Sequence, residues 1–577
     1  MEILKLIKNT TSHLPLHQDV LGFRQRESDD IAAIEFSCQR LSLDLKKDLF
    51  NHDHYLNYFF SVDEKTRILV EKVTQSYIGI DIINHQHKAR IASACFMHHR
   101  LMFSIYFKLI VALAPEKHPQ LGLLIARAID NAAEIIKWRY YNHQNAPGNV
   151  WLQLCSLFDM AEKNGLVYEK INIYPDLADA ELMPNSIATA FISINMLGSL
   201  DNAGFRPAQI DFLSKILAKW TTDLEIDKEY NEKKHLFSVD LAKNCPAKRI
   251  RNFHNSITNR YWCMDSINVK LQILMHCIET SRPPKQKAMR TLANHLFAYP
   301  TLQAVKSEWS LSEYKRQRRE SPRIKTDKPA TDAYGFEDTY YQIKHFEDSL
   351  VEVKKKSFAE DLGELSHLDE DEDSASIASG QLRKYVESMT AFMDANKGYC
   401  HIVDESAKGI CIHTTKQSHE LTVGMMLGVA TKNQKFGTKI GIIRSIKPAQ
   451  DNMLRIGVEI ISRTAFCVEA THAKQAYNKP IYGYTVEFIE ENTETNDLEF
   501  HNLNEISDTF DCLLLPKEFS FNKEESMILP KNQHNKNQQF QLKLGNKERL
   551  VMLTETLEQH DNWVRSYFAD VGNDVKN

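Results

Sequence analysis

The sequence predicts an α+β multidomain protein: an all-α N-terminal domain, an antiparallel β-barrel with a helical and acidic insertion, and a small β-rich C-terminal domain. Three observations carry this reading. At 577 residues the chain exceeds what one hydrophobic core supports and should divide into roughly two to four domains. Apolar residues recur at helical spacing up to about Leu302, whereas from Tyr399 they alternate as in strands. A charge-rich stretch that begins after Tyr314 separates the two regimes. The expected domains are 1–310, 311–470 with the insertion at 336–396, and 471–577.

Composition narrows the class. Hydrophobic residues make up 43% of the chain and charged residues 25%, as in soluble globular proteins. A formal net charge of −5 argues against a general nucleic-acid coating protein, which would be basic throughout. The most apolar helical stretch, Met102–Pro115 (MFSIYFKLIVALAP), is too short to span a bilayer and contains Lys108, so no membrane span is expected. The start, MEILKLIKNTTSHL, lacks the apolar core and cleavage site of a signal peptide. Ten cysteines occur without a CxxC pair and suggest neither a zinc site nor a disulfide framework. A cytoplasmic location is the expectation.

In the helical part, Gln120–Tyr140 places Leu123, Leu124, Ala126, Ile129, Ala133 and Ile136 near one face. Val150–Leu166 keeps the same period and closes on an Asn-Gly stop. Asn185–Leu200, Pro207–Ile226 and Asn268–Thr280 follow as further helices. Short Gly, Pro and Asn loops between them suggest antiparallel hairpins. The Trp151-x-x-Leu154 start is similar to that of a tetratricopeptide repeat, but no fixed period recurs, so an irregular bundle is the first reading.

Beyond Tyr314, Lys315–Lys328 (KRQRRESPRIKTDK) holds seven basic and two acidic residues and reads as a basic linker. A helix over Phe336–Phe346, an acidic run at Glu360–Asp373, a Ser/Gly stretch and a short helix at Gln381–Ala395 compose the insertion. Strands are then expected at Tyr399–Asp404, Gly409–Thr414, Met425–Thr431, Lys439–Ile446 and Met453–Ile461, a set that fits a small antiparallel barrel. Further strands fall at Tyr484–Ile489, Asp511–Leu515, Gln539–Lys543 and Arg549–Leu553. The LLLP and MILP sequences ending at Pro516 and Pro530 read as strand ends, because proline cannot donate to a central ladder.

One turn carries more than a turn requires. His401–His413 (HIVDESAKGICIH) spells Asp404-x-Ser406-x-x-Gly409 between two strands. Asp and Ser bond their own backbone in turns, and Gly tolerates a close backbone approach. Upstream, RRESPRI sets Arg319 and Arg323 four residues apart. An Arg-x-x-x-Arg followed by a barrel with Asp-x-Ser-x-x-Gly resembles the PilZ family of bacterial cyclic di-GMP receptors, and the stretch KIGIIRSIKPAQDNMLRIGVEII is similar to its closing strands. The resemblance spans Arg318–Ser462, with about eighty residues between Arg323 and Asp404 where the family usually has a few tens.

That resemblance implies a ligand, cyclic di-GMP, and a non-catalytic role. By the family pattern Arg319, Arg323, Asp404, Ser406 and Gly409 contact the nucleotide, with Arg318 as an extra phosphate contact. The residue types suit the chemistry. Arginine forks bond phosphate oxygens in pairs or guanine O6 and N7, and can lie flat on a purine. A carboxylate accepts from guanine N1–H and N2–H. No metal, P-loop, nucleophile elbow or HExxH signature is present, so no cofactor and no enzyme activity are expected. The expected role is a second-messenger receptor that couples nucleotide binding to its flanking domains, with a protein partner for the helical domain. The alternatives are an adaptor with a ligand-free barrel, or a nucleic-acid-binding regulator using residues 315–328.

Overall fold

The computed structural model describes residues 22–310 except 47–52, 80–84, 114–117, 178–181, 252, 254–255 and 296; residues 321–348; and residues 399–571 except 417–419, 432–436, 452, 474–508, 536, 545–546 and 561. The acidic run Glu360–Asp373, the helix expected at Gln381–Ala395, the strand expected at Tyr484–Ile489 and the residues Arg318 and Arg319 lie outside the described residues. The chain forms two compact units, one helical and one built on β-barrels.

The helical unit contains ten α-helices among its described residues: α1 (Gly22–Lys46), α2 (Asp53–Ile78), α3 (His85–Leu113), α4 (Leu121–Tyr141), α5 (Val150–Lys163), α6 (Ile187–Ser199), α7 (Pro207–Trp220), α8 (Asp265–Glu279), α9 (Lys287–Ala293) and α10 (Ala298–Trp309). Helices α4 to α8 fall within a few residues of the expected bounds. Of the first three, only the Met102–Pro115 part of α3 was expected; α1 is charged sequence in which the apolar positions form a narrow stripe. In α1 that stripe is Ile31, Ile34, Cys38 and Leu41, all buried. The region is also not wholly helical, since strands β1 (Phe237–Asp240), β2 (Lys248–Arg249) and β3 (Asn259–Trp262) pair antiparallel in the order β2-β1-β3.

Helix α4 departs from its one-faced expectation because charged residues join its buried surface. Arg127, Asp130, Asn131 and Lys137 are buried along with its apolar face. Each charge has a partner: Arg67 Nη2 lies 3.1 Å from Asp130 Oδ2, and Lys137 Nζ lies 2.9 Å from Glu134 Oε1. Buried charges persist only when paired in this way. A second cluster centres on Asp63, whose Oδ2 accepts from Tyr106 at 2.6 Å and Tyr174 at 2.7 Å. Burial alone would push the Asp63 carboxyl up, but His98, Tyr106 and Arg127 hold it down to about 2.

Helix α3 starts at His85 and is long and apolar enough to cross a membrane by length and composition alone, but 56% of its most apolar window is buried inside the protein, as in a core helix. Its fully buried positions include His98 and His99.

The other unit holds two closed six-stranded barrels. The first comprises β4 (Ile324–Tyr334), β5 (Tyr399–Ser406), β6 (Gly409–Thr414), β7 (Met426–Thr431), β8 (Lys439–Pro448) and β9 (Leu454–Ser462), in the order β4-β5-β6-β9-β8-β7. The second comprises β10 (Phe466–His472), β11 (Thr509–Leu515), β12 (Ser526–Pro530), β13 (Gln539–Leu544), β14 (Lys547–Gln559) and β15 (Trp563–Asp570), in the order β10-β11-β12-β15-β14-β13. The two strand orders are identical when counted from each barrel's first strand. Helix α11, residues 335–348, joins them. Its Phe336, Tyr340 and Ile343 share one core with Met426, Ile440 and Ile442 of the first barrel and Leu513, Leu515, Ile528 and Trp563 of the second. Tyr340 donates to Asp511 Oδ1 at 2.7 Å, and the Cys467 amide donates to Glu347 Oε1 at 3.0 Å.

Candidate nucleotide site on the first barrel

Strand β4 begins within the expected basic linker. It pairs with β5 so that Ile324 faces Glu405 and Lys325 faces Asp404, which fixes Arg323 beside the end of β5. Strands β5 and β6 are joined by the two-residue turn Ala407-Lys408, with Ser406 opposite Gly409. The Ser406 hydroxyl donates to the Gly409 carbonyl at 3.1 Å and so braces this turn. Glycine at 409 eases a close approach, since a Cβ there would stand 3.2 Å from the Val458 carbonyl oxygen on β9.

A bulge orients the acid. Pairing between β5 and β6 shifts between Ile402 and Asp404, so that Ile402 faces Ile412 while Asp404 faces Cys411. Without that extra residue, Asp404 would share the inner face of Ile402. Instead it lies on the face of Arg455, which sits two positions from Gly457, the partner of Cys411. Arg323 Nη1 donates to Asp404 Oδ1 at 2.8 Å, and Arg455 Nη2 donates to Asp404 Oδ2 at 2.9 Å. Arg455 Nε also lies 3.0 Å from Cys411 Sγ. Burial pushes the Cys411 thiol up, and the guanidinium only partly offsets it, so the thiol stays protonated.

These groups border a cleft of about 300 Å³ lined by Arg323, Ser406, Lys408, Gly409, Arg444 and Glu459, among others. Its floor is close-packed: a Cβ on Gly457 would come within 2.5 Å of Ser445 Oγ. Arg444 pairs with Glu459 at 2.7 Å and with Glu558 of the second barrel. Arg323, Lys408 and Arg444 line the cleft with Glu459, while Asp404 and Glu558 hold Arg323 and Arg444 from outside its lining, so the charged side chains an entering anion meets are mostly cationic.

Four of the six expected site residues are therefore described, and the structure brings them together. Arg323, Ser406 and Gly409 line the cleft, and Asp404 stands behind Arg323. Sequence reasoning missed Arg444, Arg455 and Lys408. Their signal was present: Arg444 and Arg455 are basic residues in otherwise apolar strands. Only the register shows which of them reaches Asp404.

Residues 37–230 match the family model of the N-terminal domain of the cyclic-di-GMP receptor FimW. The matched segment runs from within α1 to just beyond α7 and ends before the first strand. It shares no residue with Arg318–Ser462, the stretch that resembles PilZ domains. Two separate parts of the chain thus point to the same class of receptor. No curated protein and no solved structure matches the chain.

Proposed function

We propose that this protein binds cyclic di-GMP at the rim of its first barrel, without catalysis, and that binding acts on the units it joins. The observation that carries this is the pairing of Arg323 with Asp404. Residues 81 apart in sequence meet beside the Ser406–Gly409 turn, with Arg323 lining the cleft and Asp404 bonded behind it. In the empty barrel each is the other's partner. An arriving dinucleotide offers a better partner to both: phosphate to Arg323, and a guanine N1–H and N2–H edge to Asp404. Asp404 is buried, so the exchange requires the guanine edge to take over the bond that Arg323 gives up, with charge-assisted bonds to the ligand contributing about 1.5–3 kcal/mol each. Arg455 keeps its hold on the second Asp404 oxygen and so preserves the orientation of the carboxylate.

In this reading Arg319 joins Arg323 in clamping the dinucleotide, and Arg318 adds a phosphate contact. They lie in residues 310–323, the segment by which the chain leaves α10 and enters β4. Drawing that segment onto the rim transmits occupancy to the helical unit, which would engage a protein partner. A cytoplasmic location belongs to the same proposal. The test is a calorimetric series on the full chain with cyclic di-GMP, cyclic di-AMP and GTP. Selective binding of cyclic di-GMP is expected; equal binding of all three, or of none, would refute the assignment.

A further inference from the structure

The second barrel has the topology of the first but not its motif. The connection from β11 to β12 spans residues 516–525 (PKEFSFNKEE), where the first barrel has only Ala407-Lys408. It contains no Asp-x-Ser-x-x-Gly. Instead it reaches back and pairs with the end of β9: the Arg463 amide donates to the Phe519 carbonyl at 3.0 Å, and the Phe521 amide donates to the Ile461 carbonyl at 3.3 Å. Ser462 and Ser520 form the bridge between these bonds. The consequence is a platform. Arg463 holds its guanidinium carbon 5.4 Å from the centre of the Phe521 ring.

That platform forms one wall of a second hollow, of about 140 Å³, with Glu405, Ser406, Ala407 and Lys439 on its other sides. Ser406 lines both this hollow and the Arg323 cleft. The two recesses therefore flank a single turn. The charge again favours an anion, because Lys439 and Arg463 face Glu405, which is already paired with Lys328. Burial lowers the Lys439 ammonium below its usual range, with Glu405 opposing and Lys328 and Arg463 adding to the shift. A negative ligand group would relieve that strain.

We infer that the nucleotide site is composite, with Arg463 at the end of β9 and Phe521 of the second barrel forming a stacking platform for one purine of a two-base ligand whose other half occupies the Arg323 cleft. This rests on the cyclic di-GMP reading above and adds a purpose for the second barrel. A ligand with two bases about a dianionic ring matches two cationic recesses about one turn. A mononucleotide would fill only one of them. An aromatic and an arginine face accept any purine by stacking, so this recess contributes affinity, and Asp404 contributes base selection.

Full-length wild-type, Phe521→Leu, Phe521→Trp, Arg463→Gln and Arg323→Ala proteins are titrated calorimetrically with cyclic di-GMP. Phe521→Leu and Arg463→Gln should each weaken binding roughly tenfold with unchanged melting temperature. Phe521→Trp should keep wild-type affinity, and its fluorescence should change on saturation. If Arg323→Ala weakens binding while Phe521→Leu and Arg463→Gln bind as wild type, the platform is refuted and the first-barrel site stands. A tryptophan at 521 whose emission ignores bound ligand would refute it as well. If wild type itself does not bind, both the platform and the receptor reading fall.

Discussion

At Asp404 two arginines converge on one carboxylate, and this dictates what a substitution there should do. If the ligand exchanges with Arg323 for Asp404 Oδ1, Asp404→Ala should lose affinity for cyclic di-GMP and also part of its preference over cyclic di-AMP. Adenine has no N1–H or N2–H to donate to a carboxylate. Competition between the two dinucleotides measures this, and full retention of guanine preference would reduce Asp404 to a holder of arginines. The motif residues were legible because they sit within six positions of sequence. Arg455 was not, because its partner is set by the bulge at β5 and by cross-strand register, neither of which leaves a local signal. His143 is a second instance of the same limit. It ends α4 with φ 52°, its amide bonded to the Tyr140 carbonyl and that of Gln144 to the Arg139 carbonyl, a helix end usually built on glycine. Burial pushes its imidazole down to about 4. Between that value and about 6.5 only the unfolded chain takes up the proton. Stability from His143 is thus complete above about pH 6.5 and is lost as pH falls toward 4, by on the order of 3 kcal/mol. His143→Asn tolerates the same backbone and does not titrate. Its melting temperature should fall less than that of wild type across this window, and parallel curves would contradict the assignment.

Among elements, the strands of the first barrel from Tyr399 onward were legible by alternation, and β6 has the expected bounds. Strand β4 was not, because its first half is mostly solvent-exposed and basic and so reads as a linker. The two Leu-Pro ends were read correctly: β11 stops just before Pro516, and β12 closes on Pro530. The packing of α6 against α5 has a requirement that periodicity cannot show. Gly198 lets α6 approach Trp151 so closely that a Cβ would stand 2.5 Å from the indole and 2.8 Å from Pro246 Cβ. Both neighbours are stiff. Gly198→Ala gains up to about 1 kcal/mol of helix propensity but incurs overpacking of about 1–3 kcal/mol. A net loss of melting temperature is expected in a thermal scan, with cyclic di-GMP affinity unchanged. A variant that melts at or above wild type would show that the contact yields.

For the whole molecule, the α+β class and the order of helices before barrel were readable in the change of period, while the duplication of the barrel was not. The second barrel repeats the strand order without repeating the motif, and strands such as Ser526–Pro530 are buried in continuous runs that carry no sign of a repeat. What the architecture adds is a chain path: the helical unit leads through an arginine-bearing segment directly into the strand beside Asp404. The central claim is that this segment and the β5–β6 turn form one cyclic di-GMP site. Calorimetric titration of cyclic di-GMP into the full-length chain and its Arg319→Ala/Arg323→Ala double variant tests it most directly. With charge-assisted bonds contributing about 1.5–3 kcal/mol each, the double variant should lose roughly a hundredfold or more in affinity while melting near the wild-type temperature. Equal affinity in the two proteins would contradict the account.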